Sequence, residues 1–170
     1  FFLMGTIVFA YIMSTTGSTL FTSKAKHGIV SLEIAVDKSA ADGIQSEWES
    51  IQHGKYNNAA LAIINTKWDF GFLFFYSFLI YVSLKWVARK NNTDSPLSRI
   101  AFYAAPFALL AGMLDVIENA GMLQTLEGKS SELIVKITYW SSLCKWTLLL
   151  LLLFILLISF IAKMVNRKTA

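Results

Sequence analysis

The run from Arg99 to Met122, Arg-Ile-Ala-Phe-Tyr-Ala-Ala-Pro-Phe-Ala-Leu-Leu-Ala-Gly-Met-Leu-Asp-Val-Ile-Glu-Asn-Ala-Gly-Met, constrains this chain more than any other stretch. It is long and apolar enough to cross a bilayer, yet it holds Asp115, Glu118 and Asn119. At about 100° per residue, those three share a helical face with Ala101, Ala104, Ala108, Ala111, Gly112 and Met122. Phe102, Tyr103, Leu110, Met113 and Ile117 occupy the opposite face. In lipid, small residues let helices approach while large side chains meet acyl tails. An ionisable group on the close-approach face points to a functional site.

Composition agrees with that reading. Of 170 residues, 55% are hydrophobic, and the mean hydropathy of +0.54 is too high for an ordinary soluble domain. The formal net charge is +4, but Lys and Arg sit mainly at the ends of apolar runs, where membrane topology places them. With no interleaved basic and aromatic patch, nucleic acid is not an expected partner. The single cysteine, Cys144, excludes an intrachain disulfide and a cysteine-based zinc site, and reads as an inert buried thiol. The opening Phe1-Phe2-Leu3-Met4 reads as lacking a short native start. A cleaved signal peptide is the competing reading, although no small-x-small pattern closes that run.

Four spans are expected, at about 1–20, 67–88, 99–122 and 135–163. The first ends in Ser14-Thr15-Thr16-Gly17-Ser18-Thr19, so its hydroxyls must fold back onto their own backbone or face other helices. Residues 21–66 form the one sizeable segment outside the spans. Gly28–Val36 alternates loosely, as an extended segment or a short helix would. An amphipathic helix is expected over 39–52, with Trp48 suited to a bilayer interface and His53-Gly54-Lys55 as its stop. A further helix starts near Tyr56 and runs into the second span, with Asn65, Asp69, Tyr76 and Ser83 on one face. Residues 89–98 make a polar, basic loop with a helix start before Leu97. The sequon Asn91-Asn92-Thr93 lies in it and reads as a decoy, because the loop is expected in the cytoplasm. Pro106 falls on the lipid side as a modest kink, and 123–134 is a short polar connection. Lys85, Arg89, Lys90 and Arg99, with Lys163, Arg167 and Lys168 in the tail, place both termini in the cytoplasm. The lysines within 21–66 weigh mildly against that orientation.

Depth along the spans brings the polar groups together. Asp69 starts the second span, Asp115 lies about 24 Å from Arg99, and Glu118 and Asn119 lie higher. Thr138, Ser141, Ser142 and Lys145 share a face in the outer part of the fourth span, at the level of Thr15, Ser18 and Thr19. Lys145 is the natural counter-ion for Asp115 or Glu118, since a lone lysine in hydrocarbon costs roughly 2.5–3.5 kcal/mol. Asp69, Asp115 and Glu118 outnumber that lysine, so the excess acid must be protonated, solvated or bound to a cation. A purely structural network that fixes helix register is the opposing account. Metal binding by these carboxylates with His27 or His53 has no supporting spacing, and both histidines read as solvated loop residues. No catalytic residue is assigned: there is no Gly-x-Ser-x-Gly elbow, phosphate loop or dinucleotide fingerprint.

Gly28-Ile29-Val30-Ser31-Leu32-Glu33, Trp48, Asp69 with Tyr76, and Asp115-Val116-Ile117-Glu118-Asn119 together resemble uncharacterised four-span bacterial integral membrane proteins. The resemblance covers most of the chain and implies a bacterial inner membrane but no chemistry. The layout is also similar to claudin-type tetraspan proteins, whose outer-loop cysteine pair and Gly-Leu-Trp motif are missing here.

The expectation is an all-α integral membrane four-helix bundle, one domain over 1–170, with an extracytoplasmic amphipathic helical segment between helices one and two. A pocket of Asp69, Tyr76, Asp115, Glu118, Asn119 and Lys145 would bind a cation, a proton or a polar lipid headgroup, with membrane lipids as partners. The alternative is a small accessory subunit of a larger membrane complex, its polar groups purely structural. A lipid-modifying enzyme using the carboxylates as acid and base ranks third. The metal and any cofactor are left open.

Overall fold

The computed structural model describes the backbone of residues 1–90 and 95–168 and the side chains of 1–89 and 95–162. The sequon at 91–93 and the side chains of Lys90, Lys163, Arg167 and Lys168 lie outside the described residues. Among the described residues the protein is all-α apart from one short hairpin. In order, its elements are α1 (Phe2–Gly17), α2 (Val30–Glu33), α3 (Lys38–Ser50), β1 (Gln52–His53), β2 (Tyr56–Asn57), α4 (Asn58–Lys90), α5 (Pro96–Ala104), α6 (Pro106–Leu126) and α7 (Glu132–Lys168).

Among the described residues, three helical stretches are long and apolar enough to cross a membrane: Asn58–Arg89, Pro96–Leu126 and Glu132–Ala162. At 16 residues, α1 rises only about 24 Å against a hydrocarbon core of roughly 30 Å. Its hydroxyls do turn back on their own backbone: Thr6 donates to Phe2 O at 2.9 Å, Thr15 to Ile12 O at 2.8 Å and Ser18 to Thr15 O at 2.9 Å. The helix packs on α4 through rings set against glycines. A Cβ on Gly5 would fall 2.2 Å from the Phe75 ring, and one on Gly71 would fall 1.9 Å from the Phe9 ring.

Local chemistry sets the other boundaries. The Asp37 carboxylate accepts from Ala40 N at 2.8 Å and starts α3. That helix ends at Ser50, before the expected stop. Gly54 serves instead as the first central residue of the β1–β2 turn, with φ +60°, as a type II′ turn requires. Asn57 caps α4 by accepting from Ala60 N at 2.8 Å. Ser95, followed by Pro96, starts α5 and accepts from Ser98 N at 3.1 Å. Pro106 lies on an exposed face and has no N–H to give. The helix is therefore interrupted at Ala105, where Ala108 N–H steps back only three residues, to Ala105 O at 3.0 Å. The 28–36 stretch is not extended, because Val30–Glu33 closes a helical turn. The polar connection after α6 is shorter than expected, since that helix continues to Leu126.

The core divides in two. One apolar cluster joins the 20–48 segment to the near ends of the long helices, through Leu20, Leu32, Ile44, Trp48, Ala62, Met122 and Val135. The other lies toward the far end, with Ile80, Leu84, Val87, Ala101, Ala108 and Leu152. Trp48 belongs to the first cluster and not to a bilayer interface. It is fully buried, and its indole N–H donates to Leu20 O at 3.0 Å, so the polar tip that would favour an interface is satisfied inside. Cys144 is exposed, contrary to expectation. Its neighbour Lys145 takes the inward direction on α7, which turns the thiol toward the apolar outer belt.

Candidate functional site: a polar layer around Lys145

Between the two apolar clusters, α4, α6 and α7 each present polar side chains at the same level. Along α4 the sequence passes from Ala62 through Asp69 and Tyr76 to Ile80. Along α6 it passes from Ala108 through Asp115, Glu118 and Asn119 to Met122, and along α7 from Val135 through Lys145 to Leu152. Spacings of three and four residues keep each set on one face. Small residues bring the helices close enough to meet. A Cβ on Gly112 would lie 3.0 Å from the Ser77 side chain, and one on Gly121 would lie 2.0 Å from the Thr138 hydroxyl.

Lys145 is the centre. Only 4% exposed, its ammonium donates to Asp115 Oδ1 at 2.8 Å and to Glu118 Oε1 at 2.7 Å. Tyr76 OH donates to the second oxygen of Asp115 at 2.7 Å. Asp115 thus receives a donor on each oxygen. Asn119 Nδ2 donates to Asp69 Oδ2 at 2.8 Å. All six residues expected from the sequence are therefore buried in one layer, in two hydrogen-bonded groups.

A seventh residue, Glu33, reaches the layer from α2. It is buried, stands 3.8 Å from the Lys145 ammonium, and accepts longer contacts of 3.4 Å from the Ser142 hydroxyl and the Trp146 indole. Sequence reasoning passed over it as a site residue because it lies outside every span. The available signal was an acid set between Leu32 and Ile34 in an apolar stretch. Helix one does not join the layer as expected. Thr15 and Ser18 are spent on their own backbone, and Asn65 of α4 turns toward α1, donating to Met13 O at 2.8 Å and Thr16 Oγ1 at 2.7 Å.

Three buried carboxyl groups, Glu33, Asp115 and Glu118, share the Lys145 ammonium, and a fourth, Asp69, lies in the same layer. Among the charged and amide groups of this layer, Glu118 Oε2 and Asn119 Oδ1 are buried with no hydrogen-bond partner. Leaving such atoms unmatched costs about 1–3 kcal/mol each. A divalent metal is a poor fit, because the carboxylates converge on the lysine. Among the described residues no group of three or more His, Cys, Asp or Glu side chains is disposed to hold a metal ion. His27 and His53 are exposed as expected, although His53 lies in β1 and not in a loop.

The fold and the layer define a protein with three helices compatible with a membrane and a buried cluster of charged residues. Comparison with family models, curated proteins and solved structures found no match to the chain.

Proposed function

We propose that this chain is a multi-pass membrane protein, a four-helix bundle completed by α1, whose buried acidic layer binds a small cation, with the proton as the first occupant. The observation that carries the reading is the charge count in the layer: Glu33, Asp115 and Glu118 pair with the Lys145 ammonium, Asp69 stands beside Asn119, and Glu118 Oε2 has no hydrogen-bond partner. Burying unbalanced carboxylates is costly, so a site of this composition takes up positive charge. On this reading residues 18–57 form the extracytoplasmic cap over the layer. Both termini are cytoplasmic, and the membrane is a bacterial plasma membrane.

Thermal unfolding of the purified protein, in sodium or potassium salt and across pH, tests this. Asp115→Asn and Glu118→Gln are expected to fold and to lose cation-dependent stabilisation. A second reading, an accessory subunit with a purely structural layer, draws support from how completely Asp115 and Lys145 satisfy one another. It requires that both variants fail to accumulate, that adding Lys145→Met restores folding, and that mild purification recovers a stoichiometric partner.

A further inference from the structure

At the end of the molecule away from the polar layer, an apolar groove runs between α5–α6 and α7. Ile100, Tyr103 and Phe107 form one wall and Leu148, Leu152 and Ile155 the other, around a volume of about 690 Å³. That volume lies within the roughly 300–1,000 Å³ typical of small-molecule sites. From Pro96 to Phe107 the helical rise is roughly 16 Å, about half the hydrocarbon thickness, so the groove is one leaflet deep. Its lip is cationic. Arg99 borders the groove and also a smaller adjoining hollow shared with Arg89. Lys85 is held beside them, its ammonium 3.4 Å from the centre of the Phe102 ring. Among the described residues, no carboxylate lies within ion-pair distance of Lys85, Arg89 or Arg99. Arg89 and Arg99 are exposed and flank the ends of two spans, the level at which headgroup phosphates sit.

We propose that this groove is a binding site for an anionic glycerophospholipid, one acyl chain lying along Tyr103 and Leu152 and the phosphate meeting Arg99 and Arg89. Arginine suits the role because its planar fork bonds phosphate oxygens in pairs. The proposal needs only that these spans lie in a membrane, and is independent of what the acidic layer binds.

Native mass spectrometry of the detergent-purified chain, titrated with phosphatidylglycerol, phosphatidylcholine or inorganic phosphate, tests it. Phosphatidylglycerol is expected to bind about 25-fold more tightly than phosphatidylcholine, with the preference falling about fivefold in Arg99→Gln and vanishing in Arg89→Gln/Arg99→Gln. Ala104→Phe, which narrows the groove, is expected to weaken both lipids. Should that variant not accumulate, the exposed arginines decide the matter. Equal affinity for the two lipids overturns the proposal, as does a preference that survives the double arginine variant. Binding of inorganic phosphate as tight as that of phosphatidylglycerol would also overturn it, since the acyl chain would then contribute nothing.

Discussion

Glu33 and Lys145 face each other at 3.8 Å inside the protein, although one lies on the short helix α2 between α1 and α3 and the other in the first half of the last helix. The segment outside the long helices is therefore more than a cover. It places an acid against the cation on which the buried layer is centred, so cap and layer are coupled. That coupling has measurable consequences.

Removing the Glu33 charge should loosen the cap before it disturbs the long helices. Glu33→Gln is expected to cost about 1–3 kcal/mol. Hydrogen exchange should speed up over residues 28–36 and stay unchanged over α6. Uniform loss of protection along the whole chain would show that Glu33 is not a local anchor.

Within the layer the costs should be ranked by charge. Lys145→Met leaves several acids without their shared cation and is expected to cost about 3–5 kcal/mol. Tyr76→Phe removes one donor to Asp115 and should cost about 1.5–3 kcal/mol. Denaturant titration in micelles checks the order, and a milder effect at Lys145 than at Tyr76 would contradict the assignment of the centre.

The cap has its own acid-sensitive clasp. Glu47 accepts from the Thr22 and Ser23 hydroxyls and from Lys24 N at 2.9 Å, and the Ser23 and Thr22 hydrogen bonds hold its carboxyl down at about 2. A group whose acidity is strengthened by folding stabilises the fold above its ordinary value of 4.5, and that contribution is lost as pH falls toward its folded value. Proteolysis in the 20–30 stretch should therefore accelerate between about pH 4.5 and pH 2, and Glu47→Gln should flatten that dependence. An unaltered pH profile in the variant would remove Glu47 from the account.

The seam between α1 and α4 depends on the absence of side chains. Gly71→Leu should drive the Phe9 ring out of its place and cost roughly 1–3 kcal/mol, as overpacking does. The layer itself should be spared, since Asp69 bonds to α6 and not to α1. Adding Phe9→Ala to Gly71→Leu should recover part of the loss, because that ring is what the new side chain meets. A double variant whose loss equals the sum of the two single losses would show that the clash is not the cause.

Much of this site was legible in the sequence, because a lipid setting makes it explicit. A carboxylate in an apolar helix has few places to go, and the three- and four-residue spacing of Asp115, Glu118 and Asn119 fixed their common direction. Lys145 as their partner followed from its sharing a face with Thr138, Ser141 and Ser142 in the outer part of the last span. What failed to show was whatever depended on contacts between distant segments. Glu33 belonged to a stretch whose alternation suited a strand as well as a turn. Trp48 carried the composition of an interface residue until a carbonyl, Leu20 O, came within reach of its N–H. The Thr15 and Ser18 hydroxyls shared the right depth, but their local backbone bonds removed them from the layer. The hairpin at Gly54 was too short to leave a periodic signal.

The claim that the layer carries exchangeable positive charge is tested most directly by infrared titration of the purified protein between about pH 5 and pH 9, following the carbonyl band of protonated carboxyl groups. The account expects a protonated-carboxyl band at neutral pH that shrinks in Glu118→Gln while the helical content is kept. A spectrum with every carboxyl ionised throughout, or a band equally strong in Glu118→Gln, Asp115→Asn and Asp69→Asn, would contradict it.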